Sequence, residues 1–377
     1  MNANTGDGQM LTGMDETLLH QTPDTFGIVH TSDHRFFDRD WFGCYSPDGR
    51  AGVITGVGAY SNMNTLDGFA AVQLDGHQHN VRVARPLRPQ VDVIGAGPLL
   101  HEVVEPLQTM RLALEPGPHG IAFDLTWSGV MPAHLEPNHA DRLDGRLYQD
   151  YRRFDQAGEA NGWVQVGDER IDAAGWFGAR DHSWGVRRSV GGFEPFTGSF
   201  PPEMGGMLFL WLEFATQRFG GHLQLQEDAK GNIAFTEGFI APRDGTSPAV
   251  AVADVEHDID FIDGTRSYRR VGLVLTTADG AKWEIEALPL LTAWAYRGTG
   301  YDGGFNDGRG LGAFRGEVVE FDTYDVTHAE DVGLPDGSLI RLLHREQGAR
   351  VSVNGDPGFG HFPIMAIGPL ERYGWGG

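Results

Sequence analysis

Apolar residues recur at every second position along most of this chain, and a two-residue period admits little except β-strand. Between Gly120 and Val130, Ile121, Phe123, Leu125 and Trp127 alternate with Ala122, Asp124, Thr126 and Ser128. Gln108, Met110, Leu112 and Leu114 share one face of a second such segment, with Thr109, Arg111 and Ala113 on the other. Leu223/Leu225, Val255/His257/Ile259/Phe261 and Trp283/Ile285/Ala287 repeat the pattern. Asp-Gly pairs, which supply the positive φ of tight hairpins, stand at Asp48, Asp67, Asp75, Asp144, Asp244, Asp263, Asp279 and Asp336. Convincing helical periods are missing, and Met131 to Asp150, rich in Pro, His and Asp, reads as a long crossing loop. The expected fold class is all-β, built of antiparallel strands.

A chain of this kind must protect its sheet edges, and closure into a barrel does so. A length of 377 residues suits about 16 to 20 strands, too many for one small barrel and right for two of about eight to ten. The weakest patterning, near 130 to 175, marks the boundary. The expected organisation is a polar leader over 1–25, a first barrel over 26–165 and a second over 166–377. Arg39-Asp40-Trp41-Phe42-Gly43 echoes Arg180-Asp181-His182-Ser183-Trp184-Gly185, as two similar barrels would.

Charge and cysteine content narrow the function classes. With 29 basic and 52 acidic residues the net charge is −23, which repels phosphate backbones and anionic lipid headgroups, so nucleic acid is not an expected partner. The one cysteine, Cys44, leaves no internal disulfide and no zinc-type cysteine cluster. No run reaches the ~18 apolar residues of a membrane helix, and the N-terminal segment lacks the basic and apolar parts of a signal peptide. The expectation is a cytoplasmic protein without stable membrane insertion.

The segment Gly175-Trp176-Phe177-Gly178-Ala179-Arg180-Asp181-His182-Ser183-Trp184-Gly185 gathers an acid, an imidazole, two indoles and backbone-opening glycines. On a strand His182 and Trp184 point one way, Asp181 and Ser183 the other. Glu213 is the single carboxylate in the apolar run Met207 to Phe214, beside Trp211, and a carboxyl in such surroundings has a raised pKa suited to proton transfer. Tyr296, Tyr301, Tyr60 and Asn62 lie at glycine-rich strand ends and could line a mouth. His77 and His79 share a strand face without a third ligand at a useful spacing, so no metal site is expected there. His30, His34, His134 and His139 read as surface histidines of polar loops. Gly308 to Gly312 mimics a phosphate loop without its strand–helix setting, and no Gly-x-Ser-x-Gly elbow is present.

Asp181-His182-Ser183-Trp184-Gly185 resembles the Asp-His-x-Trp-Gly signature of the carotenoid 1,2-hydratase (hydroxyneurosporene synthase) and AttH-like superfamily. That resemblance implies two lipocalin-like barrels in tandem. It also implies that His182 and Trp184 act with a Tyr-x-Asp pair on a following strand, matched here by Trp211-Leu212-Glu213, with Trp for Tyr and Glu for Asp. The expected activity is hydration or dehydration of a C=C bond, or a related isomerisation or cyclisation, in a hydrophobic terpenoid or polycyclic lipid. His182 or Glu213 donates the proton, Asp181 orients His182, Trp184 and Trp211 shield the cation, and Trp176 and Tyr296 line the site. Cation–π attraction of roughly 2 kcal/mol when desolvated serves that purpose, and no step calls for a metal or nucleotide cofactor. The alternative is a non-catalytic carrier whose barrel holds an apolar molecule.

Overall fold

The computed structural model describes residues 11–143, 145–188, 190, 205–301, 304–342 and 345–376. Asp144, where one of the expected turns falls, and residues 1–10 of the expected leader lie outside them. Strand dominates, and among the described residues the only helical turns are short 3₁₀ segments. In chain order the first half supplies β1 (Phe36–Tyr45), β2 (Ala51–Tyr60), β3 (Thr65–Leu74), β4 (His77–Pro86), β5 (Gly95–Ala96), β6 (Leu99–Glu105), β7 (Thr109–Leu114), β8 (Ile121–Gly129), β9 (His134–Leu135), β10 (His139–Leu143), β11 (Arg146–Val166) and β12 (Glu169–Val186). The second half supplies β13 (Met207–Thr216), β14 (Phe219–Asp228), β15 (Ile233–Pro242), β16 (Val250–Phe261), β17 (Tyr268–Thr277), β18 (Lys282–Pro289), β19 (Trp294–Ala295), β20 (Val318–Asp325), β21 (Asp331–Gly333), β22 (Leu339–Arg341), β23 (Arg345–Glu346), β24 (Gly348–Val353), β25 (Asp356–His361) and β26 (Ile364–Ile367).

β13, β14, β15, β16, β17, β18, β24 and β25 pair in that order, and β25 returns to β13, closing an eight-stranded antiparallel barrel. Its interior is the alternating face read from the sequence, including Leu210, Leu212, Leu223, Leu225, Ile285 and Ala287. The first sheet runs β4-β3-β2-β1-β12-β11-β8-β7-β6-β5 and curls until β5 and β6 approach β3. Its core holds Phe42, Val53, Leu112, Phe123, Leu125 and Trp127. The fold is therefore all-β with two lipocalin-like barrels, as the periodicity requires.

Several local expectations give way. Asp75-Gly76 forms the two-residue β3–β4 hairpin, with φ of 49° and 79°, the type I′ geometry. Asp67-Gly68, by contrast, sits inside β3, where Asp67 is buried and accepts hydrogen bonds from Arg39 and Tyr60. A buried ion-pair partner explains that aspartate better than a turn. The segment read as a crossing loop contains β9, β10 and the start of the 21-residue β11. Its period is obscured because β11 packs on both faces.

The change of sheet also lies later than 165/166. β12 pairs with β1 and β11, so the Asp-His-Ser-Trp-Gly motif belongs to the first barrel, and the second begins with β13. The sequence echo has the same correction. Asp40 pairs with His182, Trp41 with Asp181 and Phe42 with Arg180, so the two similar segments are neighbours in one sheet instead of counterparts in two. β20 crosses back to pair with β4 and ties the halves together.

The motif's glycines have a packing reason. A Cβ at Gly178 would sit 2.4 Å from Trp127 Nε1, and one at Gly158 would sit 2.4 Å from the same ring. Trp127 is fully buried, so neither strand can hold a larger residue where the ring crosses it. Gly178→Ala should cost about 1–3 kcal/mol through overpacking, read as a lower urea midpoint. Cys44 is 1 % exposed and burial pushes its thiol up to about 12. It should be inert to thiol reagents in the native protein and react fully on unfolding.

Candidate functional site

Strand alternation splits the predicted residues between two places. From Trp176 onward, even-numbered residues of β12 point into the first barrel and odd-numbered ones face the second, while before Gly175 the odd-numbered Ile171 and Ala173 pack into the first core. Trp176 is 2 % exposed and packs within the first core, away from the seam. His182 and Trp184 lie at one end of that barrel, their rings 5.7 Å apart and each beside Phe154. His182 Nε2 pairs with Asp38 Oδ1 at 2.6 Å, and its side chain is 38 % exposed. Burial works against its charge, but Asp38, Asp40 and Asp181 hold its pKa above the usual range. Nearby His101 bridges Asp40 and Thr55 at 2.9 and 3.0 Å, and Arg180 donates to Gln156 beneath Phe154 and Trp127.

Asp181 therefore does not orient His182; Asp38 does, because consecutive strand residues face opposite ways. For the same reason His182 and Trp184 share no pocket with Trp211 and Glu213. The seam between the barrels holds Asp181 beside Tyr296 and, separately, Trp211 and Glu213 beside His222, with Arg153 acting on both groups and Trp41 and Phe177 in the same layer.

β13 presents Trp211, Glu213 and Ala215 outward from its own barrel, since Leu210, Leu212 and Phe214 fill the inside. Glu213 is 1 % exposed and lies opposite His222 of β14, whose Nδ1 is 3.1 Å from Glu213 Oε2. Burial raises the Glu213 pKa against the pull of His222. His222 is wholly buried; its other nitrogen, Nε2, is 3.3 Å from Glu136 Oε1, 3.4 Å from Glu237 Oε2 and 3.8 Å from Asp155 Oδ2. Arg153 donates to Glu136 at 2.6 Å and to Gln224 at 2.7 Å, with its guanidinium 5.5 Å from the Trp211 ring centre. Burial opposes the charge on Glu136, yet Arg153, His139 and His222 outweigh it and keep the carboxyl well below the usual range. Arg153 and His222 also pull on Asp155, but burial and the neighbouring Glu136 outweigh them and drive its pKa far upward.

His139 is buried and bonds Glu136 at 2.6 Å, while His134 bonds Glu237 at 2.6 Å. Neither is a surface histidine; both close the polar cluster from the segment taken for a loop. His79 meets Thr323, and among the described residues neither His77 nor His79 belongs to a group of three or more ligand-type side chains. The one such group is Glu136, Asp155 and His222, from three distant stretches of chain. Spacing arguments could not find it. The usable signal was the outward face of β14, where His222 and Gln224 oppose Leu223 and Leu225 yet carry no charge pattern of a solvated surface.

At the far end of the seam Asp181 keeps some exposure and forms no hydrogen bond or ion pair among the described residues. Burial pushes its carboxyl up to about 6, against the attraction of Arg153 and Arg187. Tyr296, also partly exposed, stacks 4.4 Å from Tyr301 within the electrostatic reach of Asp181. Beyond the seam's apolar middle lies a cleft of about 460 Å³ lined by Val130, Phe177, Ala215, Leu288, Pro357 and Phe359. Glu159, Arg243, Glu286 and Arg350 stand at its rim, and it is removed from Asp181: Phe177 is four strand residues, about 13 Å, away. Trp41 and Trp211 flank His361, which is 2.7 Å from both Tyr45 Oη and Glu346 Oε2.

One family description matches almost the whole chain, residues 11–376. The chain belongs to DUF8625, a family of unknown function. No curated protein matches the sequence of this DUF8625 member. Among solved structures it is similar to an AttH protein from Nitrosomonas europaea, with 11 % identity, a TM-score of 0.53, and coverage of 89 % of this chain and 93 % of that one. Kievitone hydratase from Nectria haematococca aligns at 11 % identity with a TM-score of 0.47, over 90 % of this chain and 93 % of that one. The likeness to the AttH protein is one of fold, and it agrees with the paired barrels described above. No described helix of the DUF8625 chain is long and apolar enough to cross a membrane.

Proposed function

We propose that this chain is an enzyme of the hydratase/dehydratase type, or a related isomerase or cyclase, acting on a C=C bond of a hydrophobic terpenoid or polycyclic substrate at the seam between its barrels. The observation that carries the reading is Asp181, a partly accessible carboxyl without a hydrogen-bonding partner among the described residues, opposite Trp41 on the neighbouring strand and within electrostatic reach of Tyr296. A carboxylic acid near pH 6 keeps a useful protonated fraction under ordinary conditions. Its proton passes to one alkene carbon, the faces of Trp211 and Tyr296 stabilise the cation, and a water oxygen bonds to the other carbon. The water's proton returns to the carboxylate, so the acid is regenerated. This places the acid one residue from the His182 that the motif suggests. Glu213 fixes the ring of His222 and so acts through another side chain.

A carrier function is the second reading, favoured by the apolar cleft along the same seam. Mass spectrometry of small molecules that co-purify with the protein identifies the ligand in either case. The enzyme reading expects conversion of that molecule and a loss of about 10²–10⁴-fold in kcat in Asp181→Asn, with binding nearly unchanged. Tight binding without conversion would support the carrier and overturn the enzyme.

A further inference from the structure

Asp155 is a carboxyl with no exposed surface and, among the described residues, no hydrogen bond to either oxygen, its one near cation being Arg153 Nε at 3.5 Å from Oδ1. His222 Nε2 and Glu237 Oε2 are likewise buried without a hydrogen-bonding partner, although each lies near the other's carboxylate or imidazole. The distances from Nε2 are short, but their alignment makes no hydrogen bond. Buried polar atoms left in this state cost about 1–3 kcal/mol each, so four of them in one small cluster indicate something that belongs between them.

We propose that Glu136, Asp155 and His222, with Glu237 beside them, form a binding site for a divalent cation of the zinc class. Bonds of about 2.1 Å in a tetrahedral shell put ligand atoms about 3.4 Å apart. Ligand atoms of Glu136, Asp155 and His222 lie within 4.8 Å of one another, with His222 Nε2 3.3 and 3.8 Å from the two carboxyls, and Glu237 Oε2 stands 3.4 Å from Nε2 on a further side. Mixed nitrogen and oxygen donors, with a single imidazole, suit Zn²⁺ or its near neighbours more than Ca²⁺.

The surroundings hold the ligands as metal sites require. Glu213 accepts from His222 Nδ1–H at 3.1 Å, which fixes the tautomer and turns the Nε2 lone pair to the centre. His139 and Arg153 hold the two oxygens of Glu136, and His134 holds Glu237 Oε1, leaving Oε2 for the ion. Cation binding at this cluster does not depend on the hydratase reading, since it requires no turnover.

The test uses chelator-stripped full-length protein, titrated with Zn²⁺ by calorimetry and with Co²⁺ by visible absorption. One equivalent should bind at micromolar Kd or tighter, and Co²⁺ should give the intense ligand-field bands of a four-coordinate site. Asp155→Asn and His222→Gln should lose about 100-fold or more in affinity, and Glu213→Gln about 10–100-fold, with circular dichroism showing them folded. If a variant fails to fold, the wild-type titrations decide alone. Absence of stoichiometric binding by the wild type, or unchanged binding by a folded Asp155→Asn, would overturn the proposal.

Discussion

Asp181→Asn should make the protein more stable above neutral pH while removing its activity. The carboxyl titrates at about 6 in the fold against an ordinary 3.8, because burial disfavours its charged form. A raised folded pKa means that the acid's favourable contribution is complete below pH 4 and is lost as pH rises through 6. Above that, the wild type bears a cost of about 3 kcal/mol that an uncharged amide avoids. Urea unfolding of chelator-stripped protein should therefore show near-equal midpoints at pH 4 and a higher midpoint for Asp181→Asn at pH 8. Stability gained on removing a group is what a site that stores strain for chemistry gives. Equal midpoints at both pH values would mean that Asp181 is solvated and unsuited to the role.

The largest loss of stability should come from Arg153. It is the one permanent cation of the seam cluster, held by Glu136 and Gln224 and packed on Trp211. Arg153→Met preserves much of the volume but leaves Glu136 buried without its counter-charge, at a cost of about 3–5 kcal/mol. Glu136→Gln in the same chain should restore part of that loss, since removing both charges is far cheaper than removing one. The urea midpoints of the two single variants and the double variant measure the coupling. Simple additivity would show that the pair does not interact.

The fold was legible because each of its determinants is local. The alternation of Ile121, Phe123, Leu125 and Trp127 survives intact in β8, and Asp75-Gly76 is the hairpin its residues specify. The halves of the site were legible to different degrees. Glu213 and its neighbour Trp211 could be singled out because an acid in an apolar run is conspicuous in sequence, and Asp181 because it opens the Asp-His-Ser-Trp-Gly segment. Their partners could not. Glu136, Asp155 and His222 meet only after β11 and β14 are laid face to face, and nothing in their spacing encodes that contact. His139 looked solvated for the same reason, because its burial is supplied by Tyr151 and Phe235 from elsewhere in the chain. The motif points to His182. Strand parity sends that ring into the first barrel with Asp38, and only the neighbouring Asp181 reaches the seam.

That parity gives the most direct test of the account: kcat of Asp181→Asn beside that of His182→Ala, on the unsaturated molecule that co-purifies with the protein. The seam account predicts a loss of about 100-fold or more for Asp181→Asn and a change of no more than a few-fold for His182→Ala. The reverse order, with His182→Ala inactive and Asp181→Asn close to wild type, would put the chemistry in the mouth of the first barrel and contradict it.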